Sequence, residues 1–169
     1  AGDWIVVGNV EGYVRRVRIR STHIQTFDKA DVIVPNSELI ATKVTNWMLY
    51  DLRGRVRIPI SVAYPSDVDK VRSVLIALAT AHPDVIKDND RYLTKVLFIG
   101  FGDSALNFEL RCFIKNIDRR IDVISDLNFQ INQRFKEENI LIPFPQRDLH
   151  IYTSGNKVAN LDTSDDQPK

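Results

Sequence analysis

The sequence predicts an α+β chain in which a small all-β, barrel-like part is followed by an α/β part and a short last strand. Two observations lead to this fold class. In residues 1–50, short β-rich runs follow one another between turns marked by Gly, Asn and Pro. From Arg55 onward, segments of alternating polarity are interspersed with two segments in which apolar residues recur every three or four positions.

The all-β part has about five predicted strands and one helical turn. The strands are predicted at Trp4–Val7, at the alternating run Arg16–Arg20 that follows Gly12, and at Thr22–Phe27, Asp31–Val34 and Lys43–Trp47. Ser37 is predicted to cap a helical turn over Glu38–Ala41. Strands this short and this closely spaced indicate a small barrel or rolled sheet. Such a barrel buries little apolar surface by itself, so we expect neighbouring domains to cover the remainder.

The α/β part has the predicted element order β-α-β-β-α-β, which is the order of a ferredoxin-like sandwich. In its first strand apolar and polar residues alternate, and Pro59 requires that strand to lie at an edge or bulge. The predicted elements are Arg55–Val62, a helix capped by Ser66 that ends before Pro83, Leu93–Phe101, Leu106–Cys112, a helix over Asp122–Glu138 that stops at Asn139, and Leu149–Tyr152.

These patterns divide the chain into a β domain at 1–50, an α/β domain at 51–147, a C-terminal strand at 148–153 and a disordered, polar tail at 154–169. The longest apolar run, Val74–Ala81, is far shorter than the ~20 residues that a membrane-spanning helix needs. The chain begins at Ala1 without a Met or a signal-peptide pattern, which predicts a fragment cut from a longer protein.

No catalytic or metal-binding constellation is present, so the sequence predicts neither an enzyme nor a cofactor. His23, His82 and His150 lie far apart in sequence and match no metal-ligand spacing. Cys112, the only cysteine, falls on the apolar side of its strand, where a thiol is buried and inert. An intrachain disulfide is therefore impossible, and a reducing compartment is expected.

A basic run in the all-β part leaves two interpretations open. Arg15, Arg16, Arg18 and Arg20 could follow a phosphate backbone, as nucleic-acid-binding barrels do, or face an anionic membrane surface. The formal net charge of the chain is only +1, and Tyr13 is the one aromatic residue near these arginines. A free-standing regulatory or nucleic-acid-binding module therefore remains the alternative function, and no nucleic acid is expected as a partner.

The order of short motifs resembles the cytoplasmic region of the small-conductance mechanosensitive channel (MscS) family. In the β domain the matching motifs are Gly2–Gly8, Gly12–Val14, Ile19–Thr22, Val34–Ser37 and Val44–Trp47. In the α/β domain they are Val62–Tyr64, the helix after Ser66-Asp67, and Ile142–Gln146. The resemblance implies an Sm-like β domain with the structural signature residues Gly8, Gly12, Pro35, Asn36 and Asn46. Some family members carry glycine where this chain has Ser37.

The resemblance further implies a homoheptamer in the bacterial inner membrane, anchored through transmembrane helices that this chain lacks. Its cytoplasmic domains would enclose a cage below the pore, and ions would pass through side portals during relief of osmotic stress. It also implies that Leu149 and Ile151 lie in an axial barrel of strands from all subunits. This conflicts with the element order above, which returns that strand to its own sheet, and the barrel is the expectation adopted.

The portals are expected near the linker between the two domains, where Arg53 and Arg55 would line the opening. Their guanidinium groups stay charged at physiological pH, so they would raise the local anion concentration. The alternative is that they pair with Asp51 or with a carboxylate of a neighbouring subunit and leave the opening neutral.

Overall fold

A computed structural model of the chain describes residues 1–87 and 91–145. The first part forms one five-stranded sheet with a short helix, and all neighbouring strands are antiparallel. The strands are β1 (Trp4–Val7), β2 (Val10–Val17), β3 (Ser21–Thr26), β4 (Asp31–Pro35) and β5 (Val44–Asn46), and the helix is α1 (Asn36–Ala41). The order across the sheet is β4-β3-β2-β1-β5.

The predicted all-β part is thus confirmed as five short strands with a small core. Its buried set lies on β1 to β4 and consists of Ile5, Val7, Val14, Ile24 and Val34, whereas β5 contributes no buried residue. Within the described ranges β4 and β5 do not pair with each other, so the sheet is rolled and open rather than closed by hydrogen bonds. Five core side chains are few for a domain, which explains why this sheet packs against the second one.

The predicted strand over Arg16–Arg20 is confirmed for Arg16 and Val17 and is wrong for Arg18–Arg20. β2 begins at Val10 and ends at Val17, with an irregularity between Val14 and Arg16, and the next three residues form a turn. In that turn the Arg18 N–H donates to the Ser21 carbonyl at 2.8 Å. Ile19, which alternates with the arginines in the predicted strand, is 97% exposed. The alternation of Arg with apolar residues therefore continues past the point at which the ladder stops.

The second part is a three-stranded antiparallel sheet covered on one face by two helices. Its elements are β6 (Gly54–Val62), α2 (Val68–Ala81), β7 (Lys95–Phe101), β8 (Leu106–Ile114) and α3 (Arg120–Glu137), with a one-turn 3₁₀ helix at Ile117–Arg119. Among the residues described, the strand order β6-β8-β7 is that of three of the four strands of a ferredoxin-like sandwich. Pro59 lies on β6, an edge strand of the sheet as described. The fold class predicted from the sequence is confirmed.

The predicted last strand with Leu149 and Ile151, and the predicted tail, lie outside the described residues.

The core of the second part forms where β6 and β8 meet the helices. Every second residue of both strands is buried, from Val56 to Val62 and from Leu106 to Ile114. In the part of the chain described, no helix is long and apolar enough to cross a membrane.

Two predicted helix caps are wrong by one or two residues. α2 is capped by Asp67 rather than Ser66, because the Asp67 carboxylate accepts from the backbone N–H groups of Asp69 and Lys70. Ser66 instead donates its N–H to Ala63 in the preceding turn. α1 begins at Asn36, so Ser37 lies inside the helix, and the capping position is held by Pro35 without a side-chain bond. Asn139 ends α3 with φ 57°, as predicted.

Candidate functional site

The linker between the two sheets carries an ion pair. The Arg53 guanidinium donates to both carboxylate oxygens of Asp51 at 2.8–2.9 Å, and the Arg53 backbone N–H donates to Oδ1 at 2.9 Å. The side-chain hydrogen bond from Arg53 lowers the pKa of Asp51, and the same bond raises the pKa of Arg53. The guanidinium also lies 4.9 Å from the centroid of the Tyr92 ring. Of the two alternatives for Arg53, the structure therefore places it in a local pair with Asp51.

Arg55 has different surroundings. It lies on the solvent face of β6 opposite Phe113, and among the described residues it has no ion-pair partner. Arg53 lines a cavity of about 430 Å³ together with Lys87 and Lys115. Arg55 lines a separate cavity of about 180 Å³. The structure thus places the two predicted portal residues in neighbouring but distinct depressions, with unequal charge balance.

At two positions of the predicted β-domain signature, steric or conformational constraints explain why the residue is glycine. Gly8 forms the tight turn between β1 and β2 with φ 54°, a region that costs most other residues energy. At Gly12 on β2 a Cβ atom would overlap the backbone carbonyl of Gln25 on β3. Both glycines therefore set the close pairing of the first three strands.

The polar signature residues tie loops to strands. The Asn36 amide donates to the carbonyls of Arg18 and Ile19 at 2.9 and 3.1 Å, and its oxygen accepts from Thr22 at 2.9 Å. Pro35 precedes it as the last residue of β4. These bonds close the β2–β3 turn and end the β2 ladder at that point.

Asn46 plays the same kind of role at the other edge of the sheet. Its amide donates to Asp3 at 2.8 Å, and its oxygen accepts from the Met48 N–H at 2.9 Å. Asn46 thereby joins β5 to the segment before β1. All of these contacts are internal to the chain and shape the sheet.

The two sheets meet at a junction whose residues the sequence pattern did not indicate. Trp4 on β1 is 2% exposed and belongs to the same apolar cluster as the core of the second sheet. The Tyr13 hydroxyl donates to Asp118 at 2.9 Å, and the Arg120 guanidinium lies 5.8 Å from the centroid of the Trp47 ring. Only the aromatic character of positions 4, 13 and 47 in so small a β domain could have suggested such a contact.

The linker is also anchored to the second sheet. The Ile117 N–H donates to the Leu52 carbonyl at 2.7 Å. A Cβ atom at Gly54 would overlap the end of the buried Ile117 side chain, so a larger residue where β6 begins would require that side chain to shift. The segment that carries Asp51, Arg53 and Arg55 is therefore held at Leu52, between the two ion-pair partners, and at Gly54, directly after them.

The predicted inert thiol is where the sequence places it. Cys112 is fully buried on β8, and burial raises its pKa to about 11. His82 is also buried; its Nδ1 accepts from the Asp84 N–H at 3.2 Å, and its Nε2 lies 3.7 Å from Asp126. No group of residues in 1–87 and 91–145 could hold a metal ion, and His150 lies outside these ranges.

Comparison with known proteins gives two family models that match in succession. The model described as "Mechanosensitive ion channel, beta-domain" matches residues 1–49. The model described as "Mechanosensitive ion channel MscS, C-terminal" matches residues 56–142. Both models describe parts of ion channels, in agreement with the expectation of a chain that is not an enzyme.

Individual proteins extend this similarity. The mechanosensitive channel MscK of Escherichia coli is 36% identical over 161 residues, which cover 95% of this chain and 14% of MscK. An uncharacterised MscS family protein of Haemophilus influenzae is 35% identical over 167 residues, which cover 99% of this chain and 14% of that protein. The crystal structure of Helicobacter pylori MscS in a closed state superposes with a TM-score of 0.81 at 24% identity, covering 90% of this chain and 58% of that one. The chain thus spans about a seventh of the first two relatives.

Proposed function

The chain belongs to the MscS family of mechanosensitive ion channels, and from this membership we propose that it forms the cytoplasmic vestibule of such a channel. The observation that carries the proposal is the succession of the two family matches, at 1–49 and 56–142, with only the six linker residues 50–55 between them. The domains are proposed to divide as predicted, with the β domain at 1–50 below the pore and the α/β domain at 51–147 in the wall of a cage.

The vestibule is proposed to assemble as a ring of identical subunits, a heptamer, at the bacterial inner membrane. The exposed apolar side chains of the β domain support this proposal. Ile19 and Ile40 are 97% and 87% exposed, and Val17 and Ile33 are each more than half exposed. Large apolar residues in such numbers on a domain with five core side chains call for cover by neighbouring subunits or the membrane-spanning part of the channel.

Ions are proposed to reach the pore through openings between subunits near the linker, during relief of osmotic stress. Arg55 is proposed to supply the fixed charge there. Arg53 contributes little net charge because Asp51 neutralises it at 2.8 Å, whereas Arg55 has no such partner among the described residues. A ring of unneutralised guanidinium groups raises the local concentration of anions and repels cations.

The alternative of a nucleic-acid-binding module is not favoured by any observation on the described residues. A continuous basic strand would have been its main support. Instead, β2 ends at Val17, and Arg18 and Arg20 lie in a turn. The absence of a nucleic-acid partner stays a prediction.

The test of the channel function is patch-clamp recording on the full-length protein that contains this segment, reconstituted in liposomes. We expect currents that open with membrane tension. Disruption of the sheet junction by Trp4→Ala should reduce the number of openable channels, because Trp4 links the two sheets. A full-length protein that inserts in the membrane and gives no tension-dependent current would refute the proposal.

A further inference from the structure

Three cations stand in one row across the solvent face of the second sheet. Arg111 in the central strand β8 is directly opposite Arg57 on β6 and directly opposite Lys95 on β7. Like charges placed directly opposite in a sheet repel one another. The row holds no carboxylate of its own, and among the described residues only Arg111 of the three has an ion-pair partner, Glu109 in the next row. An anion from outside would relieve the repulsion that remains.

The cavity of about 180 Å³ opens beside this row. Its wall carries four cationic side chains and two apolar ones: Arg55, Arg91, Lys95, Arg111, Leu93 and Phe113. Among residues 1–87 and 91–145, no carboxylate lines it. Glu109, in the next row, contacts Arg111 through the guanidinium Nε, and no bond from Glu109 to a terminal amino group of Arg111 is found among the described residues. Within the described residues neither Arg55 nor Lys95 has an ion-pair partner.

We propose that this cavity is a binding site for a small phosphate-bearing anion. A guanidinium presents its N–H groups as a planar fork that matches two oxygens of a phosphate. Arg55 and Arg111 reach the cavity from adjacent strands, and the Lys95 ammonium adds a point charge from the third strand. The apolar Phe113, packed edge-on against Tyr92 at 5.0 Å, lowers the local dielectric and strengthens these contacts.

The site is independent of the proposed channel function, although it shares Arg55 with the proposed opening. A phosphate ion or a phosphate ester fits the chemistry equally well, and so does an anionic lipid headgroup. A free anion is favoured, because the cavity lies on the α/β sheet, whereas the large exposed apolar residues Ile19 and Ile40 lie on the β domain. Binding is measured on the 169-residue chain in the absence of membrane, so its failure leaves the channel proposal untouched.

The experiment is an NMR titration of the isotope-labelled chain with inorganic phosphate and with pyrophosphate. Sodium chloride is adjusted so that ionic strength stays constant, which separates site binding from general screening. We expect saturable shifts confined to the backbone amides near positions 55, 95 and 111–113, with tighter binding of pyrophosphate. The double variant Arg55→Gln/Arg111→Gln should bind about tenfold more weakly or worse, since charge-assisted hydrogen bonds are lost.

Control variants and lipid vesicles show whether binding is specific to this cavity and to a free anion. Arg16→Gln/Arg20→Gln removes the same charge from the β domain and should bind as the unaltered chain does. Arg111→Lys keeps the charge but removes the fork, and should bind with intermediate affinity. Vesicles of phosphatidylglycerol test whether the anion is a lipid headgroup. If the chain sediments with these vesicles and the double variant Arg55→Gln/Arg111→Gln does not, the assignment to a free anion is overturned. Shifts spread over all basic surfaces, or equal binding by both double variants, would overturn the site itself.

Discussion

The phenolic hydroxyl of Tyr13 donates a 2.9 Å hydrogen bond to Asp118, although the two residues are 105 positions apart in the chain. Tyr13 lies on β2 of the first sheet, and Asp118 lies in the 3₁₀ turn before α3 of the second. Burial, followed by this hydrogen bond, raises the pKa of Tyr13. The contact therefore joins the two sheets directly, beside the apolar contact made by Trp4.

Replacing Tyr13 with Phe should lower the free energy of unfolding by about 0.5–1.5 kcal/mol, the usual net contribution of one hydrogen bond. The ring itself, which packs edge-on against Phe27 at 5.6 Å, is retained. Urea denaturation measures the change. Tyr50→Phe is the matched control, because Tyr50 is 95% exposed and should give no change. Equal stability of Y13F and the unaltered chain would show that the bond does not hold the junction.

The fold was predictable from the sequence wherever local periodicity alone determines it. Along β6 and β8 every second residue is buried, because a strand directs alternate side chains to opposite faces. The ends of elements were less predictable. β2 stops at Val17 because the Asn36 amide donates to the carbonyls of Arg18 and Ile19, which lie 18 and 17 positions before it in the chain. No pattern within the strand itself carries that information.

The candidate site, like the fold, was predictable only where residues close together in the sequence determine it. The linker arginines were identifiable from their position between the two predicted domains, and the alternative pairing of Arg53 with Asp51 follows from a spacing of two residues. The row of Arg57, Arg111 and Lys95 was not identifiable, because it depends on the register of three strands. Nor was the junction, which depends on how two sheets pack.

Gly12 should be intolerant of any side chain. A Cβ atom there would overlap the Gln25 backbone carbonyl on the neighbouring strand, and backbone cannot move aside as a flexible side chain can. We expect Gly12→Ala to cost about 1–3 kcal/mol of unfolding free energy, as overpacking does. Thermal or urea unfolding provides the measurement.

Gly8→Asn is the informative comparison for Gly12→Ala. Gly8 has φ 54° and open space around its Cα, and Asn tolerates that conformation better than other side chains. We expect Gly8→Asn to change the unfolding free energy by only a few tenths of a kcal/mol, a smaller loss than that of Gly12→Ala. The reverse order of the two losses would contradict the steric account of Gly12.

Cys112 should make the chain less stable in alkali. Its folded pKa of about 11 lies above the ordinary value of 9.0, so the unfolded chain releases its thiol proton first as pH rises. The thiol's contribution to stability is fully present below pH 9 and is lost as the pH rises towards 11. Over that interval the loss reaches about 2–3 kcal/mol, at 1.36 kcal/mol per pKa unit.

Other groups titrate in the same range, so the measured quantity is the difference between the unaltered chain and Cys112→Val. Valine suits a buried strand position and has no ionisable group. Urea unfolding at pH 8 and at pH 10.5 should show a steeper loss for the unaltered chain. Parallel losses would mean that the thiol is not protected by burial.

The linker ion pair leads to the last prediction, which concerns selectivity in the full-length channel. Asp51 and Arg53 form a pair with no net charge, whereas Arg55 is unbalanced among the described residues. Removing the whole pair with Asp51→Asn/Arg53→Gln should therefore leave the local field nearly unchanged. Removing or reversing the charge of Arg55 should change it.

We expect Arg55→Glu to shift the reversal potential toward cations under a salt gradient at low ionic strength, with Arg55→Gln giving about half that shift. The neutral double variant should match the unaltered channel. The shift should shrink in concentrated salt, because the Debye length falls from about 10 Å at 0.1 M to about 3 Å at 1 M. If Arg55→Glu opens under tension with an unshifted reversal potential at low salt, Arg55 does not face the ion path. If the neutral double variant shifts as much as Arg55→Gln does, the pair is not electrically silent and Arg53 must act on the ions itself.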